Sequence, residues 1–154
     1  MSQFLDFFDG RQTDWRAGRP VWLTLAQLRY KSDHLKTTIV IPTEFFSDLA
    51  SVPRLPIIWL IAGGRGTRGA VLHDFPYQFG YWLLEDGGRL VVDRPTADAV
   101  FHESLLADPI SGASRGHAYQ MWAGVRVGGG GVWRDRATRG PVLNPEWTRE
   151  WGVI

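Results

Sequence analysis

The chain has 154 residues, 44% of them hydrophobic, which is enough for one domain with its own core. It contains no cysteine, and this excludes disulfides, thiolate metal sites and a cysteine nucleophile. The formal net charge is only +1 and the charges are mixed along the chain, so nothing indicates a basic surface for nucleic acid. The N-terminus lacks a basic segment and no apolar run reaches roughly 18 residues, so we expect neither a signal peptide nor a membrane span.

The first half of the chain carries strand patterns. Apolar and polar residues alternate over Pro20–Ser32, and β-branched and then aromatic residues fill Thr37–Asp48. The intervening Asp33–Lys36 is typical of a turn. The two segments are therefore predicted to form an antiparallel pair.

Proline and glycine then divide the chain. A loop and a short helix near Pro56–Ile61 are predicted first. A helix should follow over Thr67–Leu84, with Pro76 kinking or ending it near Phe75 because proline lacks a backbone donor. The segment Glu85–Asp93 predicts a tight turn and a short extended piece.

Two further helices follow. Residues Arg94–Pro109 give the clearest helical pattern, with Thr96 as the candidate N-cap. Residues Ser114–Gly129 predict a last helix, which the glycines at 128–131 end. The fold class is therefore α+β: an N-terminal antiparallel β element, a small helical core and an extended C-terminal tail.

The chain divides into two parts on these patterns. Residues 1–128 are expected to form a single α+β domain. Residues 129–154 are expected to be an extended, Trp-rich tail that packs on the domain or on a partner, because Trp133, Trp147 and Trp151 occur there without a clear period.

Four polar residues stand in apolar surroundings and are the candidates for chemistry: Asp48, His73, Asp74 and Asp98. A buried carboxylate is costly unless it is paired, hydrogen-bonded or metal-bound. If His73 and Asp98 meet across two packed helices, the carboxylate would orient the imidazole and raise its basicity. Asp74 would then be available to a cation or to a backbone donor.

Each candidate also has a structural interpretation. Asp48 is suited to capping a turn or a short helix. His73 could be a core histidine bonded to a carbonyl, and the whole cluster could simply lock two helices to the loop that contains Asp48.

His102 is a weaker candidate on the same predicted helix as Asp98. It follows Asp98 by four residues, so both side chains can face the same way.

Three segments in order carry a resemblance to a known family: "IPTEFFSDLASVPR", "AVLHDFPY" and "PTADAVFHESL". They resemble the core of a phage and prophage domain-of-unknown-function family, number 1353, from about Val40 to Gly128. Pro76 within the second segment departs from its pattern. The resemblance implies a phage or prophage origin, as a virion or tail-region product, and it brings no demonstrated activity.

The pattern His-Asp-x-x-Tyr followed by Ala-Asp-x-x-Phe is also similar to the two active-site helices of the phospholipase A2 family. This similarity implies a dyad of His73 and Asp98 that activates water, supported by Tyr77. It implies a divalent cation, calcium or zinc, at Asp74, and we include Asp48 as a second candidate ligand. The chain departs from that family in having no disulfides and only "AGGRG" in place of a calcium-binding loop.

These resemblances lead to one functional expectation and two alternatives. We expect a tailed-phage virion protein of the tail or tail tip, with a metal-dependent hydrolase-like site, phospholipase-like or cell-wall-degrading, that acts on the host envelope. The first alternative is a purely structural tail or baseplate component, and the second is a free intracellular phage enzyme.

The expected partners follow from the same interpretation. They are other phage structural proteins, envelope lipid or peptidoglycan, and further copies in a homo- or hetero-oligomer, with no nucleic acid. The protein would be made in the host cytoplasm and located in the virion.

Overall fold

The computed structural model describes residues 1–16, 19–47, 66–108 and 114–139. The strands are β1 (Gln3–Phe4), β2 (Gly10–Arg16), β3 (Arg19–Thr24), β4 (Leu28–Ser32), β5 (Thr37–Ile41), β6 (Phe46–Ser47), β7 (Tyr81–Leu84) and β8 (Arg89–Val91). The helices are α1 (Thr67–Phe79), α2 (Arg94–Ala107), α3 (Arg115–Gly128) and α4 (Gly130–Arg139).

The main sheet has five strands in the order β1-β4-β5-β7-β8, and every neighbouring pair is antiparallel. The predicted pair is its centre, with Tyr30 of β4 opposite Ile39 of β5. A second sheet, β2-β3-β6, is built on the hairpin of β2 and β3. The single strand predicted over Pro20–Ser32 is therefore two strands, because Leu25–Gln27 lead the chain from one sheet to the other.

Helix α1 is the central helix of the domain. It contacts β5, β6 and β7 on one side and α2 and α4 on another. Its residues from Thr67 to Tyr77 are all buried, which is why its sequence shows no polar stripe. The core therefore forms between the five-stranded sheet and α1, around buried residues such as Ile39, Phe75 and Trp82.

Of the two outcomes predicted for Pro76, a kink or an end of the helix near Phe75, the structure contradicts the second. The helix continues to Phe79 and ends at Gly80, whose N–H donates to the Pro76 carbonyl. In an unbroken helix, residue 76 would donate to the carbonyl of Leu72, and proline has no N–H to give. The indole of Trp82 donates to that carbonyl instead, at 2.9 Å from Nε1 to the oxygen, so no buried acceptor is left unpaired there.

The end of α1 and the start of α2 also differ from the predictions. Residues Tyr81–Leu84 form strand β7 and not the end of a helix, since Gly80 terminates α1 and the chain reverses there. The N-cap of α2 is Asp93 and not Thr96: the Asp93 carboxylate accepts a hydrogen bond from the Thr96 N–H.

The segment after α3 was predicted to be extended, and part of it is helical instead. Residues 130–139 form helix α4, while residues 140–154 lie outside the described part of the chain. The rings of Trp133 of α4 and Tyr77 of α1 pack edge to face, at 5.1 Å between centroids. The predicted α+β class is confirmed: six of the described strands come first, and β7 and β8, between α1 and α2, complete the main sheet. None of the helices described is long and apolar enough to cross a bilayer.

Candidate active site

His73 and Asp98 meet across α1 and α2, as expected for two polar residues on apolar helix faces that need a common partner. The Nε2 atom of His73 lies 2.8 Å from Oδ1 of Asp98, and both side chains are fully buried. Gly69, one helical turn before His73, permits this close packing. A Cβ at Gly69 would lie 2.8 Å from the Ser104 hydroxyl of α2, which is closer than real Cβ contacts allow.

Asp98 accepts hydrogen bonds on both carboxylate oxygens. Tyr77, one turn after His73 on α1, donates its hydroxyl to Oδ1 at 2.6 Å. Arg126, in the last turn of α3, donates from Nη1 to Oδ2 at 2.9 Å. Three helices therefore converge on one carboxylate, which compensates the cost of burying its charge.

The surroundings set the protonation state of each group. Burial lowers the pKa of His73 below its ordinary value of 6.5, although the Asp98 carboxylate acts against this shift. Burial alone would raise the pKa of Asp98, but the hydrogen bonds from His73 and Tyr77 outweigh it, so its pKa lies below the ordinary 3.8. Burial, with the adjacent carboxylate, raises the pKa of Tyr77. At neutral pH the cluster holds a carboxylate, a neutral imidazole and a neutral phenol.

This protonation state fixes the tautomer of His73. An ionised carboxylate only accepts hydrogen bonds, so the Nε2 atom facing Asp98 carries the proton. The neutral ring then has its lone pair on Nδ1. Nδ1 is buried and has no hydrogen-bond partner among the residues that the structure describes. The ring is held between Tyr77 and Phe101, at 4.2 Å and 4.6 Å between ring centroids.

Asp74 points to a different set of partners from those of His73. Its Oδ2 accepts from the Ser47 hydroxyl at 2.8 Å and from the Gln78 amide at 3.3 Å. The same amide donates to the Phe46 carbonyl, so the end of β6 is fastened to α1. Asp74 is 2% exposed, in keeping with a buried carboxylate that is hydrogen-bonded.

The divalent cation expected at Asp74 requires a cluster of ligands. The described residues contain no group of three or more histidines and acidic residues placed to hold a metal ion, and calcium takes six to eight oxygen ligands. Asp48, the second candidate ligand, lies outside the described residues, as do most of "SDLASVPR" and all of "AGGRG" up to Arg65.

The family model of the proteins of unknown function DUF1353 matches residues 22–125 of the chain. The chain belongs to this family. Among curated proteins and among solved structures, nothing matches. The range matched to DUF1353 contains His73, Asp74, Tyr77 and Asp98, so the whole predicted cluster falls inside the family's domain.

Arg126 is the member of the cluster that sequence reasoning missed. It lies directly after the range matched to DUF1353, in the last turn of α3. The one signal available was a basic residue near a helix C-terminus, which is a common surface feature and does not indicate a buried partner. His102 shares a helix with Asp98, but its ring packs near Trp122 of α3, at 6.0 Å between centroids.

Proposed function

We propose that the chain is a hydrolase in which His73 acts as the general base through Nδ1. One observation supports this most strongly: a buried imidazole is held by a carboxylate at Nε2 and leaves its basic nitrogen without a partner among the described residues. A histidine kept only for packing would be expected to use both ring nitrogens, because an unpaired buried polar atom is costly.

The proposed chemistry is activation of water by the dyad. Nδ1 would take a proton from a water molecule as that water attacks an ester or amide carbonyl carbon. The imidazolium so formed keeps its Nε2–H bond to Asp98, whose negative charge stabilises it. When the tetrahedral intermediate collapses, the bond from the carbonyl carbon to the leaving alcohol or amine breaks. The imidazolium then gives its Nδ1 proton to that leaving atom, which restores the neutral imidazole. Tyr77 holds the same carboxylate oxygen and stays protonated, so it orients Asp98 without competing for the proton.

We propose in addition that a divalent cation binds at Asp74 with Asp48. The support is Asp74's position next to His73 in sequence and the similarity to the phospholipase A2 helices. An all-oxygen ligand set suits calcium better than zinc. When bound, such an ion would stabilise negative charge developing on the substrate.

The proposed setting is the tail or tail tip of a phage virion, with the host envelope as target. The support is the phage and prophage character of the family that the motifs resemble. Other phage structural proteins and further copies of the chain would be the partners, and phospholipid or peptidoglycan would be the substrate. Synthesis in the host cytoplasm precedes assembly in this proposal.

The test is a pair of measurements on the wild type and on His73→Ala. Hydrolysis is followed on vesicles of phosphatidylethanolamine and phosphatidylglycerol and on purified peptidoglycan, with and without a chelator, and the thermal midpoint is measured in parallel. We expect His73→Ala to lose about 10²–10⁴ in rate and to remain folded. The exposed His34 supplies a matched control, since His34→Ala should leave the rate unchanged.

A second candidate function, a structural tail or baseplate component, is favoured by a specific observation. His73 and Asp98 are both 0% exposed, and Asp98 ties α1, α2 and α3 together. If that role is the only one, the wild type is inert on both substrates and His73→Ala melts much earlier. That pair of results would contradict the hydrolase proposal.

A further inference from the structure

The corner between α3 and α4 lies next to Asp98 and Tyr77. Arg126 and Gly129 both belong to this corner, and both touch groups that hold His73. Arg126 donates to Asp98, and a Cβ on Gly129 would lie 2.6 Å from the Tyr77 hydroxyl. The run of glycines at 128–131 therefore permits a close approach to the dyad, besides interrupting the helix.

Two residues of α2, one helical turn apart, hold Arg126 in place. Asp98 accepts from its guanidinium, and Arg94 donates from Nη1 to the backbone carbonyl of Arg126 at 3.0 Å and to that of Val125 at 3.4 Å. The side chain and the backbone of Arg126 are thus both fixed to α2. Such a double attachment specifies the position of the guanidinium more closely than a single surface ion pair does.

The fixed position of Arg126 matters because the carboxylate of an aspartate rotates easily. The torsion that rotates a carboxylate about its last bond has a broad energy profile. In Asp98, His73 and Tyr77 both donate to Oδ1, and Arg126 is the donor that the structure shows on Oδ2. Without Arg126, the second oxygen loses that donor and the carboxylate is freer to turn away from the plane of the imidazole.

We infer that Arg126 is a positioning residue, which holds the Asp98 carboxylate so that His73 keeps its proton on Nε2 and its lone pair on Nδ1. The inference rests on the proposed hydrolytic function only for its effect on rate.

The test reads the tautomer directly, by the ring ¹⁵N chemical shifts of His73 at one fixed pH near neutrality. In the wild type we expect one protonated and one unprotonated ring nitrogen, with well-separated signals. In Arg126→Ala the two signals should move toward each other as both tautomers become populated. Arg126→Lys should restore part of the separation, and the control Arg134→Ala, at an exposed arginine of α4, should show none of the change.

If Arg126→Ala does not fold, Arg126→Gln, which keeps an amide donor but no charge, takes its place and should show a smaller change of the same sign. Unchanged His73 shifts in the folded variant, or an equal change in Arg134→Ala, would overturn the inference.

Hydrolysis of the phospholipid vesicles is the second readout. We expect kcat to fall about 10- to 100-fold with KM unchanged, as for a small misplacement of a reacting group. A rise in KM alone would make Arg126 a substrate-binding residue and would contradict a positioning role. A wild type with the expected ¹⁵N pattern and no hydrolysis would contradict the proposed function alone.

Discussion

Asp98 and Asp108 are both buried carboxylates that accept from an arginine, and they differ in what else surrounds them. Arg68 of α1 donates from Nε and Nη2 to the two oxygens of Asp108, which follows α2. Its remaining Nη1 donates to the Asp6 carbonyl, and its guanidinium lies 4.6 Å from the centre of the Phe4 ring. All three guanidinium nitrogens of Arg68 are thus used inside the fold.

In the Asp98 cluster, both carboxylate oxygens have hydrogen-bond donors, but one ring nitrogen of the histidine has no partner among the described residues. Asp98 accepts from three donors, while Nδ1 of His73 has no partner in the part of the chain that the structure describes. Burial and ion pairing are common to both regions and therefore do not distinguish a reactive site from a structural one. The unpaired basic nitrogen is the difference, and it is the reason for placing the chemistry at His73.

The Arg68–Asp108 pair should show the largest effect on stability. Arg68→Met leaves Asp108 buried without its guanidinium, and removing one partner of a buried ion pair typically costs about 3–5 kcal/mol. The free energy of unfolding in urea should fall by that amount. Arg115→Met, at an exposed arginine of α3, serves as the control and should stay close to wild type. An equal loss in both variants would show that the pair has no special role.

Removing one donor from Asp98 should cost less than removing the partner of Asp108. Tyr77→Phe keeps the aromatic packing and deletes the hydroxyl, while His73 and Arg126 still donate to the carboxylate. We expect a loss of about 1.5–3 kcal/mol, the usual range for a hydrogen bond to a charged group. Tyr119→Phe, at a tyrosine that is 59% exposed, controls for the substitution itself. A loss equal to that of Arg68→Met would remove the distinction between the two regions.

The buried histidine should also make stability depend on pH. Because burial lowers the pKa of folded His73, the unfolded chain takes up a proton first as pH falls below the ordinary value of 6.5. The contribution is complete above that pH and is lost as pH falls toward the folded pKa, at no more than about 1.4 kcal/mol per pH unit. Chemical unfolding between pH 7 and 5 measures it.

A flatter pH dependence is expected for His73→Gln. His102, whose pKa burial also lowers, contributes with the same sign, so His102→Gln supplies the comparison. Identical slopes in the wild type and in His73→Gln would mean that His73 is not held neutral by the fold.

The smallest effect is expected at a half-buried pair near the surface. Asp6 accepts from Arg29 at 2.9 Å, and this hydrogen bond lowers the pKa of Asp6 below its ordinary 3.8. The contribution is present above pH 3.8 and is lost as pH falls through the folded pKa. Asp6→Asn should cost about 0.2–1 kcal/mol at pH 7, because ion pairs near the surface contribute little, and the cost should shrink as pH falls through the folded pKa. A loss that does not shrink on acidification would have another cause.

Local patterns predicted the central features of the fold and of the site. Alternating residues gave the β4–β5 pair, which follows from side-chain periodicity. The contact between His73 and Asp98 crosses two helices and was expected for another reason. Both residues lie on apolar helix faces, and a buried charge needs a partner in the fold.

The features that the sequence did not predict depend on contacts between distant residues. Helix α1 continues through Pro76 because Trp82, ten residues after Leu72, donates to the Leu72 carbonyl. Arg126 completes the site from a third helix, 28 residues after Asp98. Neither partner leaves a mark in the periodicity of its own segment. The strand at Tyr81–Leu84 is a different case, because Gly80 offered a helix-ending signal that the apolar run after it concealed.

The most direct test of the central claim compares His73→Ala with Arg68→Met for rate and stability together. Each variant is assayed for vesicle and peptidoglycan hydrolysis at a temperature where circular dichroism shows it to be folded. We predict that His73→Ala loses about 10²–10⁴ in rate with the smaller loss of stability, and that Arg68→Met keeps its rate and loses the more stability. Losses of rate that follow the losses of stability in both variants, or no hydrolysis by the wild type, would contradict the assignment of chemistry to His73.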